Sequence, residues 1–135
     1  MRSDLGHRAF AAARGMLGVR FRPQGCDPET GLDCVGLVWA AYACAGRRLT
    51  RPAAWPLRGW RAERIHAALA DAGFRHAEDD AMPGDVAVVA LPAGQFHLAL
   101  IAGESMVHAH AGLRRVVENP IDAATRIAPR WRLKG

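Results

Sequence analysis

One stretch limits the folds open to this chain more than any other. It runs Gly31-Leu32-Asp33-Cys34-Val35-Gly36-Leu37-Val38-Trp39-Ala40-Ala41-Tyr42-Ala43-Cys44, with Asp33 as its only charged residue. Beyond Asp33 it is long enough for about three helical turns and is apolar on nearly every side. Such a helix has no solvent face and must be surrounded by the rest of the fold. Asp33 is placed to cap its N-terminus, with Cys34 in the first turn. Four amide N–H groups at that end lack intrahelical partners, and the positive end of the helix dipole points the same way. Both effects favour a thiolate, and a cysteine pKa of ~8.5 can fall to roughly 3.5–7.5 at such a position. The expectation is an activated nucleophile at Cys34, set against the plainer reading of a buried, inert thiol.

The remaining composition bounds the answer. At 135 residues, half of them hydrophobic and 23% charged, the chain suits one globular domain spanning 1–135. Its net charge of +5 comes almost wholly from arginine, because Lys134 is the single lysine. The arginines are scattered, with pairs only at Arg47-Arg48 and Arg114-Arg115. No zinc finger, helix-turn-helix or RNP-like aromatic pattern accompanies them, so no nucleic acid partner is expected. An acidic polymer would suit such a surface equally well. Cys26, Cys34 and Cys44 cannot all pair internally, and nothing resembles a disulfide framework. No stretch approaches the ~18 apolar residues of a membrane span. The first ten residues show no apolar run followed by a cleavage site, so synthesis in the cytoplasm without a signal peptide is expected.

Along the chain, residues 5–17 have helical spacing, with Gly18 as the stop. Residues 20–32 hold Pro23, Gly25, Asp27, Pro28, Thr30 and Gly31 and must form a loop leading into the Cys34 helix. Residues 47–60 form an irregular excursion in which Trp55 and Trp60 either cap the core edge or wall a groove. A second amphipathic helix fits 61–72, ended by Gly73, with His66 and His76 on or just after it in solvent. After Asp79-Asp80 the pattern changes to strands at 86–91, 95–101, 105–110 and 114–118, with a last one within 127–133. Helices followed by an antiparallel meander indicate an α+β fold.

A thiol nucleophile in acyl transfer needs an imidazole to take and return its proton, and a third polar group to orient that imidazole. His97 opens one strand of the meander, and His108 and His110 share a face of the next. In a hairpin turning near Gly103, His97 and His108 are approximate cross-strand neighbours, with His110 about 7 Å further along. The motifs Asp33-Cys34-x-Gly36-Leu37, Pro83-Gly84-Asp85-Val86, His97-x-Ala99 and Val107-His108-Ala109, in that order, resemble the NlpC/P60 cysteine peptidases of bacterial cell-wall turnover. The approach loop from Phe21 to Leu37, with Gln24-Gly25 and Asp27-Pro28, looks more particularly like the phage-tail and gene-transfer-agent subgroup.

The resemblance implies a papain-like NlpC/P60 core in which the nucleophile helix packs on the antiparallel meander. It implies Cys34 as nucleophile, His97 as general base and His108 as the orienting residue, with neither metal nor cofactor. The oxyanion would be held by helix N-terminal amides. It further implies hydrolysis of an amide in peptidoglycan stem peptides, often the D-γ-glutamyl-diamino acid bond. Phage-like tail proteins are the implied partners, and delivery to the wall would be in a virus-like particle. Asp33, Val35, Phe21, Trp55, Trp60 and His110 are the residues expected to meet substrate. Two positions depart from the family pattern: Phe21 stands where many members have Tyr, and Val35 where many have Ser after the nucleophile. Three other readings stand beside this one. The first is a catalytically weak wall-binding or tail-tip module of the same fold. The second is a zinc site using Cys26, Cys34 and a histidine, and the third an amidase or acyltransferase acting on a different amide or ester.

Overall fold

Helix α1 (Leu5–Arg14) buries Leu5, Ala9, Phe10 and Ala13 along one face and stops at Gly15. It is shorter than its apolar periodicity suggests, because residues 15–18 leave the helix in turns ending at Gly18, whose φ is +89°. The computed structural model describes residues 4–52, 62–92 and 95–133. The following loop contains a small antiparallel hairpin, β1 (Cys26–Asp27) with β2 (Gly31–Leu32), in the register Cys26↔Leu32. Its turn is tied by Glu29 N–H donating to Asp27 Oδ1 at 2.9 Å.

Helix α2 (Cys34–Cys44) is buried at every residue from Cys34 to Tyr42. A helix without a polar face needs cover on all sides, and α1, β1 and two strands of the main sheet provide it. The helix gives way at Ala45, after which Gly46 takes a φ of +102°. Helix α3 (Ala62–Asp71) follows and ends at Gly73, φ +105°.

Among the described residues the main sheet holds six strands: β3 (Phe74–Ala77), β4 (Asp85–Ala90), β5 (Phe96–Ala102), β6 (Ser105–His110), β7 (Arg115–Pro120) and β8 (Arg130–Leu133). Their order is β3-β8-β4-β5-β6-β7 and every pair is antiparallel. The α+β class and the meander from β4 to β7 agree with the sequence pattern. Two features differ from it. The short helix α4 (Ala123–Arg126), capped by Asp122, lies inside the segment before β8. Strand β3 forms an edge by pairing with β8, although Phe-Arg-His-Ala has no β-branched residue to announce a strand. His66 and His76 accordingly meet Trp131 of β8: its Nε1–H donates to His66 Nδ1 at 2.9 Å, and the His76 ring stands edge-on to the indole.

Alternation sorts the sheet into two faces. Val86, Val88, Leu98, Leu100, Val107, Ala109 and Val116 join the helices in the main core. Ala87, Val89, Ala99, Ile101 and Met106 form a smaller cluster behind the sheet, under Ile121 and Ala128. The Pro83-Gly84-Asp85 turn locks the helical layer to the sheet. Gly84 sits at φ +90°, and a Cβ there would lie 2.4 Å from Gly6 Cα, so α1 can approach only a glycine. Tyr42 of α2 donates its hydroxyl proton to the Gly84 carbonyl at 2.7 Å. Asp85, wholly buried, accepts from Arg130 at 2.7 Å and from Arg132 Nε at 2.8 Å, which holds β8 beside β4.

Candidate active site

The first turn of α2 is built by Asp33. Its Oδ1 accepts the Gly36 N–H at 2.7 Å, which is the expected N-cap. Its Oδ2 accepts the Gln24 N–H, also at 2.7 Å, so one carboxylate ties the approach loop to the helix end. Gly36 is required by the same contact: a Cβ there would fall 1.7 Å from the Gly25 carbonyl oxygen. Asp33 and Val35 are 0% and 1% exposed. The Asp33 carboxylate caps the helix and the Val35 side chain packs into the core.

Cys34 opens α2 with only 5% of its surface exposed. The backbone N–H groups of Leu98 on β5 and of Val35 and Cys34 at the helix start favour the thiolate. Burial, and next the Asp33 carboxylate, outweigh them and push the thiol up to about 12. The activated thiolate expected from the helix end alone is therefore not the resting state. A dipole contributes about 0.3–1 kcal/mol, up to ~2 when partly buried, and removing an anion from water costs more.

The sheet opens beside Leu98. Strands β5 and β6 pair only from Ala102↔Ser105 to Leu100↔Val107, whereas β4 and β5 stay paired through Ala90↔Phe96. Continued without interruption, the β5–β6 register would set His97 opposite His110. The interruption lets His97 meet His108 instead, with His97 Nε2 and His108 Nδ1 2.7 Å apart and the rings edge to face. Beyond it, His108 Nε2 lies 2.8 Å from Asn119 Oδ1 on β7. Burial lowers His97 to about 4, helped by His108 and His110 and opposed by Asp122. His108 is lowered too, chiefly by burial, against the Asn119 hydrogen bond. Both imidazoles are neutral near pH 7, and the Cys34 thiol is neutral as well.

The other expected residues are placed unequally. His110 stands beside His108, ring centroids 5.6 Å apart, but its Nδ1 accepts the Leu113 N–H at 3.0 Å and belongs to the β6–β7 turn. Phe21 is half-buried against the core, bridged to Leu32, with its N–H donated to the Arg114 carbonyl at 2.9 Å. Trp55 and Trp60 lie outside the described residues. Cys26 is half-buried, accepts from Arg51 Nη2, and lines a cavity of about 340 Å³ with Trp39, Arg48 and Arg51. Among the described residues no three His, Cys, Asp or Glu side chains are grouped to hold a metal ion. Asn119 was not singled out by its sequence, where Asn-Pro reads only as the end of a strand. Its diagonal offset from His108 becomes visible once the β6–β7 register, His108↔Val117, is known.

The first turn of α2 thus presents a buried thiol, and the opened β5–β6 hairpin a hydrogen-bonded chain from His97 through His108 to Asn119. The family model described as NlpC/P60 family matches residues 18–126, most of the chain. The chain belongs to the NlpC/P60 family. No curated protein sequence matches it significantly. Among solved structures, the NlpC/p60 domain of the peptidoglycan hydrolase SagA aligns with a TM-score of 0.62 at 23% identity, over 96% of this chain and 98% of that one. The peptidoglycan hydrolase RipB from Mycobacterium tuberculosis aligns at 0.65 and 22%, over 96% of this chain and 65% of RipB. RipD from the same organism, described as a non-catalytic NlpC/p60 domain protein adapted to peptidoglycan binding, aligns at 0.66 and 18%, over 98% and 100%. At these identities the likeness is one of fold. The NlpC/P60 fold thus spans hydrolases and a non-catalytic protein, and the chemistry must be argued from the side chains themselves.

Proposed function

We propose that this NlpC/P60 domain is a cysteine peptidase that hydrolyses an amide bond in peptidoglycan stem peptides, of the D-γ-glutamyl-diamino acid type. The single observation that carries the proposal is the 2.7 Å contact between His97 Nε2 and His108 Nδ1, one residue along β5 from the Leu98 amide that favours the Cys34 thiolate. Cys34 is the nucleophile, His97 the general base and His108 the residue that orients it. Because both partners rest neutral, His97 takes the thiol proton as sulfur attacks the carbonyl, and returns it to the leaving amine. The amides at the start of α2 receive the charge that develops on the carbonyl oxygen in this reading. Water then releases the acyl group by the reverse proton route. A phage-like tail or gene-transfer-agent particle is the carrier we propose, on the approach loop between Phe21 and Leu37.

One observation favours a second reading, a wall-binding module without turnover. Cys34 is 5% exposed, and a non-catalytic neighbour shares the fold. Digestion of purified peptidoglycan, with fragments identified by mass, separates the two. Stem-peptide fragments that vanish with Cys34→Ala support the peptidase. Binding to sacculi without any fragment supports the module.

A further inference from the structure

We infer that Asn119 is a positioning residue of this site, holding the proton order along the His108–His97 pair. The inference rests on the peptidase reading for its effect on turnover, but not for its structural content. The carboxamide oxygen of Asn119 lies 2.8 Å from His108 Nε2 and can only accept a hydrogen bond. His108 must then carry its proton on Nε2. A neutral imidazole has one N–H, so His108 Nδ1 is left as an acceptor. Across the 2.7 Å contact, His97 must therefore donate from Nε2. The lone pair of neutral His97 is thereby confined to Nδ1, the nitrogen on which it can receive a thiol proton. Reversing the carboxamide would reverse every step and leave His97 with an N–H where it needs a lone pair.

The fold supplies Asn119 from a different strand than either histidine. On β7 it faces Met106 in register and sits diagonally from His108, whose own partner is Val117. Diagonal neighbours on an antiparallel pair are about 7–8 Å apart at the backbone, within reach of a carboxamide and an imidazole. Asn119 is itself exposed, so its replacement disturbs little packing. Among the described residues, the charged or titratable groups that act on the pair are His110, on β6 beside His108, and Asp122, which caps α4. Asn119 adds a fixed dipole to these without adding a charge.

Two variants of the full chain test this, by proton NMR of the imidazole N–H groups and by the pH profile of stem-peptide hydrolysis. The wild-type protein should show solvent-protected Nε2–H signals from both His97 and His108. Asn119→Leu, close in size, should lose the protected His108 signal and lower kcat by about tenfold with KM within twofold. Asn119→Asp keeps the acceptor and adds a charge. It should retain both signals and move the acidic limb of kcat/KM upward by about one pH unit or more, since an opposite charge at this range favours protonated imidazole. A His108 proton found on Nδ1 in the wild type, or signals and kcat unchanged in Asn119→Leu, overturns the inference. So does an acidic limb that Asn119→Asp leaves in place. Absence of hydrolysis by the wild type would count against the peptidase reading alone, because the N–H signals judge Asn119 without turnover.

Discussion

Burial sets the chemistry of Cys34 and His97 more strongly than the helix end does. The pair rests as thiol and imidazole, since burial opposes charge on either group. Activity should therefore persist at pH values where an ordinary histidine is already protonated, with its acidic limb nearer 4 than 6.5. The same shift has a consequence for stability. An unfolded histidine titrates near 6.5, and His97 in the folded chain near 4, so between these values the unfolded state binds more protons. Stability from this group is complete above about pH 6.5 and declines as the pH falls toward 4. Urea midpoints at pH 7, 5.5 and 4.5 should fall in that order, and less steeply in His97→Gln. At the same scale, His108→Ala should lower turnover by a large factor while the unfolding midpoint moves little. His110→Ala, a change to a residue held in a turn by Leu113, should act mainly on KM. If the two variants exchange these behaviours, His110 rather than His108 orients the base.

At the scale of elements, the junction between the approach loop and α2 decides where the sulfur sits. Gly36 allows the loop backbone to lie against the first helical turn, and a methyl group there would meet backbone atoms rather than a movable side chain. Gly36→Ala should push the loop away from α2, with an overpacking cost of about 1–3 kcal/mol. Asp33→Ala removes a cap from Gly36 and an anchor from Gln24, and should cost about 1–2 kcal/mol. Thermal unfolding measures both, and Gly36→Ala should lose more activity than its stability loss explains. The motif Asp33-Cys34-x-Gly36 is thus legible as local chemistry: a cap, a thiol and a close approach. The opening between β5 and β6 has no comparable mark in the sequence. There the β5–β6 ladder stops at Leu100↔Val107, and the Leu98 amide beyond it favours the Cys34 thiolate.

Across the whole molecule, Asp85 ties the meander to the last strand. It is wholly buried, while Arg130 and Arg132 keep 15% and 27% of their side-chain surface. Asp85→Ala leaves two guanidinium groups without their shared partner, and breaking a buried pair costs 3–5 kcal/mol. The loss here should be about 3 kcal/mol, near the lower end because the arginines retain contact with water, and a denaturant titration will report it. What the sequence determined by itself was everything carried by neighbours within a few residues. That includes the all-apolar helix, its aspartate cap, the glycine stops and the alternation that makes β4 to β7 a meander. The same local spacing set His108 and His110 on one face. Tertiary structure alone decided the rest: β3 as an edge strand, α4, the β5–β6 register that stops short of His97, Asn119 behind His108, and the resting charge of Cys34. Each of these depends on groups distant along the chain. Strand pairing needs a partner strand, a hydrogen-bonded ring pair needs a register, and a pKa responds to every atom that excludes water from the group, whatever its place in the sequence.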